Sequence, residues 1–99
     1  MTTRAPEDCS NMAEVRAGVD QVDRELVALL GRRFGYMDAA ARIKPTRDAV
    51  RDEARKAAVI ANARSLAVPA GVPDPLVADL WERLVEASIA YELEAFDRR

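Results

Sequence analysis

The hydrophobic pattern is dominated by one continuous stretch from Met12 to Lys44. Apolar residues recur there at alternating spacings of three and four, which is the period of one face of an α-helix. The residues on this seam are Val15, Val19, Val22, Leu26, Leu29, Tyr36, Ala40 and Ile43. The pattern therefore predicts a single amphipathic helix of about thirty residues.

Two cations interrupt or end this apolar seam. Arg33 stands where an apolar residue is expected between Leu29 and Tyr36, and Lys44 follows the last apolar position. A guanidinium on an apolar face carries a desolvation cost unless an anionic group meets it. Helix geometry puts Arg33 and Lys44 on nearly one face, about 16 Å apart along the axis. These residues indicate an anionic ligand; the alternative is an arginine that extends its charge to solvent from the edge of the seam.

Arg16 lies on another side of the same predicted helix, about 25 Å from Arg33 by the same geometry. One straight helix cannot direct Arg16, Arg33 and Lys44 at one small anion. An antiparallel helix from a second chain would bring its own Arg16 towards the other two cations. The sequence therefore predicts a homodimer with a cationic pocket between chains, and oligomerisation would also cover a long helix in a small domain.

Prolines divide the rest of the chain into two shorter helices. Pro45 ends the first helix, because the residue before a proline avoids the helical region. The second helix is predicted from Asp48 or Val50 to Ala67, with Thr46 as its cap. It has a predicted face of small residues, formed by Val50, Ala54, Ala57, Ala58, Ala61 and the nearby Ile60.

The third helix is predicted from Asp74 to about Phe96, with Asp74 as N-cap and Pro75 at the first helical position. Its buried stripe is formed by Val77, Leu80, Trp81, Leu84 and Val85, and is continued by Ser88 and Glu92. Residues 1–11 form an irregular polar arm, and Ser10 or Asn11 caps the first helix. The predicted fold is all-α, with one long and two shorter helices in a single domain over residues 1–99.

Composition narrows the classes of function. The net charge of −2 and the pI of about 5.2 argue against nucleic acid as the main partner. Without histidine, and with Cys9 as the one cysteine, the chain has no spacing typical of a metal site and no histidine-based catalytic group. No apolar run reaches the length of a membrane span, and no signal peptide is recognised, so we expect a cytoplasmic protein.

Two further groups of polar residues are candidates for chemistry. Asp52 and Arg55 lie in a charged stretch whose simplest interpretation is a solvated face, with Asp52 paired to Lys56. Ser88 and Glu92 lie four residues apart on an apolar face. A buried glutamate must be paired, protonated or directed into a cavity; the alternative is a helix end that frays into solvent.

In this order along the chain, the charged and polar residues resemble the all-helical chorismate mutase family. The resemblance is carried by Arg16, the Gly31-Arg32-Arg33 segment, Lys44, Arg55 and the pair Ser88 and Glu92. The segment Pro6-Glu7-Asp8-Cys9 additionally resembles the isochorismate-pyruvate lyase branch of that family. The resemblance covers essentially the whole chain and implies an intertwined all-α homodimer, a dianionic substrate (chorismate or isochorismate) and a pericyclic reaction without a cofactor.

The resemblance also implies a role for each candidate residue. Arginines suit the two substrate carboxylates, and Lys44 would stabilise negative charge that grows on the ether oxygen. Asp52 would accept a hydrogen bond from the ring hydroxyl. The substrate-binding residues implied are Arg16 from the partner chain, Arg33, Lys44, Asp52, Arg55, Ser88 and Glu92. Of these, Arg33, Lys44 and Glu92 are the catalytic candidates, and none acts as a nucleophile.

Two residues depart from the family pattern. Many bacterial members carry glutamine at the position of Glu92, whereas fungal members carry glutamate. An ionised carboxylate cannot donate a hydrogen bond, so we expect Glu92 to act in its protonated form and turnover to be faster at mildly acidic pH. Lys56 replaces a glutamate that helps mutases to bind the ring hydroxyl.

The function predicted from these residues is that of a chorismate mutase, with two alternatives. Asp52 and Ser88 favour a chorismate mutase, which converts chorismate into prephenate. The segment Pro6–Cys9 favours an isochorismate-pyruvate lyase, which forms salicylate and pyruvate. A third possibility, from a different class, is a helical interaction module whose cations bind a protein partner.

Overall fold

The structure is a computed structural model that describes residues 3–99. Three α-helices, α1 (Met12–Ile43), α2 (Glu53–Ala67) and α3 (Asp74–Asp97), are accompanied by short 3-10 helices at Pro6–Asp8 and Arg47–Ala49. Residues 3–99 contain no strand, so the predicted all-α fold is confirmed. The chain forms two compact units, one up to Gly35 and one over Tyr36–Arg99.

In the first unit, α1 begins with reciprocal capping contacts. The Asn11 side chain accepts a hydrogen bond from the Glu14 N–H at 2.9 Å, and the Glu14 carboxylate accepts one from the Ser10 N–H at 3.0 Å. Both contacts satisfy N–H groups near the helix start. The predicted cap is confirmed. The arm is not wholly irregular, because Pro6–Asp8 form a 3-10 helix with proline at its start; Thr2 lies outside the described residues.

The apolar seam of α1 is largely exposed. Its exposed members are Val15, Val19, Val22, Leu26, Leu29, Tyr36 and Ile43, with exposed fractions of 38–69%. Ala40 is half-buried. A helix with this pattern normally buries its apolar stripe against another element, so this face is available to another molecule.

In the second unit, α2 packs against α3. One core cluster contains Val50, Val85 and Ile89, and the other contains Ala63, Ala67 and Val77. Trp81 packs against both clusters and joins them. Of the predicted small-residue face, Val50 is buried and Ile60 is half-buried, whereas the alanines are exposed: Ala54, Ala57, Ala58 and Ala61.

The predicted start of the second helix is wrong. Arg47–Ala49 form a separate 3-10 helix, and α2 begins at Glu53. The reason is that the Asp52 side chain accepts a hydrogen bond from the Arg55 N–H at 2.9 Å and caps α2. Thr46 precedes the 3-10 helix but makes no side-chain capping bond to it.

The turn into α3 differs from the prediction as well. Gly71 has a φ of 75°, a left-handed conformation that favours glycine. The N-cap of α3 is Pro73, whereas Asp74 lies in the first turn and pairs with Arg64 at 2.8 Å. The predicted stripe is confirmed at Val77, Val85, Ser88 and Glu92, which are buried, but Leu80 is 49% exposed.

Candidate active site

Lys44 and Glu92 come together in the second unit. The Lys44 N–H donates to the Ala40 carbonyl at 2.9 Å and closes the last turn of α1. The Lys44 Nζ lies 2.7 Å from Glu92 Oε1, with 30% of the lysine side chain and 5% of the glutamate side chain exposed. A weaker hydrogen bond of 3.4 Å runs from Nζ to the Val50 carbonyl. The structure thus places a cation against a buried carboxylate.

The contact between these two groups is an ion pair rather than a well-directed hydrogen bond. Although Nζ and Oε1 are close, Glu92 Oε1 is buried and accepts no hydrogen bond of normal geometry. The short distance makes the charge interaction strong, and a carboxylate oxygen has a second lone pair with which it can accept a further hydrogen bond. A buried polar atom of this kind is suited to a ligand. The alternative of a frayed helix end at Glu92 is wrong, because α3 continues to Asp97.

Ser88 lies one helical turn before Glu92 on the same face of α3. Its residue is 3% exposed, and its hydroxyl donates to the Leu84 carbonyl at 2.6 Å. Bonding back to the preceding turn is a common way for a buried serine in a helix to satisfy its hydroxyl. Ser88 is therefore near Glu92 in sequence and on the same face, and its contact to a substrate stays a prediction.

Most of the charged residues at the start of α2 make contacts that stabilise the fold. The predicted pair of Asp52 with Lys56 is wrong: Asp52 caps α2, and the Lys56 Nζ donates to Glu82 at 2.8 Å and to Glu86 at 2.9 Å. Arg51 adds two hydrogen bonds to the Glu86 carboxylate. The Arg51 and Lys56 hydrogen bonds lower the pKa of Glu86 to about 2. This network fastens α2 to α3.

The remaining candidate cations are divided between α1 and α2. Arg55 is exposed on α2, Arg16 is exposed on α1, and Arg33 is half-buried on α1. Arg16 and Arg33 belong to the first unit, whereas Arg55 belongs to the second. Their participation in one site stays a prediction.

Sequence reasoning missed two contacts at the end of α1. The Tyr91 hydroxyl donates to Asp38 at 2.8 Å, and the Arg99 guanidinium donates to carbonyls that include that of Lys44 at 2.7 Å. Both contacts span more than fifty residues, so helical periodicity carries no information about them. The signal in the sequence that could have indicated the Arg99 contact is Pro45. Because proline has no N–H, one carbonyl in the last turn of α1 lacks its usual hydrogen-bond donor.

The first unit contains a cavity of about 530 Å³ between the arm and the start of α1. It is lined by Thr3, Arg4, Ala5, Pro6, Cys9, Val15, Gly18, Val19, Val22 and Asp23. None of the predicted site residues lines it. An ion pair between Arg4 and Glu14 holds the arm against α1, so the Pro6–Cys9 segment forms one wall of this cavity.

Within residues 3–99, no group of three or more acidic or cysteine side chains is arranged to hold a metal ion. No helix in the described part of the chain is long and apolar enough to cross a membrane.

Comparison with known proteins gives the family. The sequence model of the chorismate mutase type II family matches residues 15–93. The chain is also 32% identical over 91 residues to the isochorismate pyruvate lyase of Pseudomonas aeruginosa. These aligned residues cover 92% of this chain and 90% of that protein. The chain therefore belongs to the chorismate mutase type II family and is an enzyme of the group that includes chorismate mutases and isochorismate pyruvate lyases.

Proposed function

We propose that the protein catalyses the rearrangement of chorismate to prephenate. In this reaction the ether C–O bond breaks while a C–C bond forms, so no atom is gained or lost and no external nucleophile is needed. The observation that carries the proposal is the Lys44 ammonium against the buried Glu92 carboxyl group. Negative charge grows on the ether oxygen in the transition state, and hydrogen-bond donors fixed at that position lower the barrier.

Lys44 and Glu92 have distinct tasks in this mechanism. The ammonium of Lys44 donates to the ether oxygen directly. Glu92 takes up a proton before it can donate, because an ionised carboxylate only accepts. The glutamate found at this position in fungal mutases supports the mutase reaction for this chain.

The remaining roles rest on the family resemblance. Arg33 and the Arg16 of a second chain bind the two substrate carboxylates, and Arg55 and Ser88 add contacts to them. The Asp52 carboxylate accepts a hydrogen bond from the ring hydroxyl of the substrate. This assignment requires a homodimer in which each site takes its Arg16 from the other chain, and the exposed apolar seam of α1 supports that assembly. The site also accelerates the reaction by holding the substrate in its compact diaxial conformation.

Isochorismate-pyruvate lyase activity is the second candidate. There the same ether bond breaks while a ring hydrogen moves to the enolpyruvyl methylene carbon, which releases pyruvate and leaves salicylate. The Pro6–Cys9 segment and the 32% identity to the Pseudomonas lyase favour it. Asp52 no longer separates the two reactions, because its presence is explained by the cap that it forms on α2.

Product analysis separates the candidates. The purified protein is incubated with chorismate and with isochorismate, and prephenate, salicylate and pyruvate are followed by chromatography. We expect prephenate from chorismate in the wild type, and a kcat lowered by at least about 100-fold in Lys44→Ala, which removes one charged donor. Arg64→Ala, which removes an exposed cation paired with Asp74, serves as the control and keeps wild-type turnover.

Each other outcome has a definite meaning. Salicylate and pyruvate from isochorismate as the main products would replace the mutase by the lyase. Absence of product from both substrates would overturn both activities, and an interaction module would then be expected to lose partner binding in Arg33→Ala.

A further inference from the structure

The end of α1 has a missing backbone bond. In an α-helix, the carbonyl of one residue accepts a hydrogen bond from the N–H four residues later. The position four residues after Ala41 is Pro45, which has no N–H. Ala41 is only 2% exposed, so water has little access, and an unpaired carbonyl there would be costly.

Arg99 supplies the missing donor. Its Nη1 donates to the Ala41 carbonyl at 3.2 Å and to the Lys44 carbonyl at 2.7 Å, and its Nη2 donates to the Pro45 carbonyl at 3.3 Å. A planar guanidinium can reach several acceptors at once because its donors point in fixed directions. Its positive charge also suits the carboxyl end of a helix. One side chain thus fixes three carbonyls around Lys44.

The Arg99 side chain is itself held in place. Its guanidinium lies 3.7 Å above the centre of the Phe96 ring, a cation–π contact. Phe96 packs against the core cluster that contains Ile89. A second link joins the same two segments, because Arg47 binds the Asp97 carboxylate through bonds of 2.9 and 3.3 Å. The last turn of α3, together with Arg99 beyond it, therefore holds the segment that follows α1.

We propose that Arg99 is a positioning residue, which holds the backbone of Lys44 so that the lysine ammonium stays against Glu92. Its catalytic consequence rests on the proposed function, in which Lys44 donates to the ether oxygen. Arg99 acts through the Lys44 carbonyl. Small displacements of such a donor are costly, since a shift of about 1 Å can lower a rate by about 100-fold.

The position of the Lys44 side chain can be followed directly by NMR, because the chain contains just two lysines, Lys44 and Lys56. Protein labelled with ¹³C and ¹⁵N in lysine gives one set of NMR signals for each side chain. In Arg99→Ala, the Lys44 signals are expected to move and broaden while those of Lys56 stay in place. Arg98→Ala is the matched control, because the Arg98 side chain is exposed and its guanidinium lies 3.9 Å from the Glu94 carboxylate; both lysines should keep their signals.

Turnover gives the second readout. Arg99→Ala is expected to lower kcat by about 10- to 100-fold, with a smaller change in KM, because the donor is displaced rather than removed. Arg99→Lys should restore only part of kcat, since one ammonium cannot bridge three carbonyls as a guanidinium does. If Arg99→Ala does not fold, Arg99→Lys is used in its place for both the lysine NMR spectra and the turnover measurement.

The outcomes are distinguishable. Unchanged Lys44 signals in the Arg99 variants would overturn the proposal, and so would displaced signals with an unchanged kcat. A wild-type protein that is inactive on chorismate and on isochorismate would overturn the proposed function, and the lysine spectra would then decide the positioning role by themselves.

Discussion

Glu92 is the residue at which burial and charge conflict most directly. Its carboxyl group is almost fully removed from solvent, and its nearest charged neighbour is the Lys44 ammonium. A buried ion pair of this kind adds little stability, because desolvation offsets the attraction between the charges. A glutamine of nearly the same shape would avoid the buried negative charge. The presence of glutamate is therefore better explained by a contact with the substrate than by stability.

This argument gives a prediction for Glu92→Gln. The wild type should turn over substrate faster at about pH 5 than at about pH 7.5, because only a protonated carboxyl group donates to the ether oxygen. The amide of glutamine donates at every pH, so the variant should lose this acidic preference. The measurement is kcat and kcat/KM across that pH range. Parallel pH profiles for the two proteins would refute the role of the proton, and Glu94→Gln, on the exposed side of α3, should behave as wild type.

At the scale of elements, the contact between α2 and α3 depends on a charged network beside the apolar core. Lys56, with 16% of its side chain exposed, bonds to Glu82 and Glu86, and Arg51 bonds to Glu86 from the other side. Exposed ion pairs are individually weak, but a shared carboxylate makes a network of them more effective. The network also explains why a lysine stands at position 56, where mutases often carry a glutamate.

The low pKa of Glu86 has a definite consequence for stability in acid. Its folded-state pKa of about 2 lies below the ordinary value of 4.5. A group with a lowered folded-state pKa stabilises the protein at pH values above its unfolded-state pKa, and this contribution is lost as the pH falls through the window from 4.5 to about 2. Replacing Glu86 with glutamine should therefore make the free energy of unfolding less dependent on pH in that window.

Urea denaturation at several pH values between about 2.5 and 5 measures this effect. The wild type should lose stability more steeply than Glu86→Gln as the pH falls. Asp79→Asn, which changes an exposed carboxylate on α3, is the control and should retain the wild-type slope. Equal slopes for Glu86→Gln and the wild type would contradict the role of the network.

The elements themselves were predictable where local signals decide them. Asn11 and Glu14 marked the start of α1, and periodicity placed Ser88 and Glu92 on one face of α3. The prediction fails at the start of α2, because Asp52 rather than Thr46 caps that helix. It also fails at the cap of α3, because Pro73 occupies the cap position while Asp74 pairs with Arg64. In the site, the pairing of Lys44 with Glu92 brings together residues 48 positions apart in the chain, a contact that only the packed helices define.

For the whole molecule, the decisive feature is the apolar seam of α1. Its seven large apolar side chains are more than one third exposed, so α1 presents apolar faces that Arg33 separates between Leu29 and Tyr36. Such faces commonly mark protein interfaces. A second copy of α1 would match this face in chemistry and length, and an isologous contact between two copies forms a closed symmetric dimer.

The proposed dimer makes a prediction about mixtures of inactive variants. Arg16→Ala and Lys44→Ala should each be almost inactive alone. If each site combines Arg16 of one chain with Lys44 of the other, a heterodimer of the two variants contains one intact site and one doubly defective site. Refolding an equal mixture from denaturant should therefore restore activity to about a quarter of that of the wild type, because half of the random dimers are heterodimers. Turnover and dimer mass are measured on the same refolded samples.

The matched control is a mixture of Arg33→Ala and Lys44→Ala. Each site takes both of these residues from one chain, so every site in this mixture carries one of the two changes and no activity should return. Recovery in the control, or none in the first mixture despite dimer formation, would place Arg16 and Lys44 in sites built differently from the proposed one.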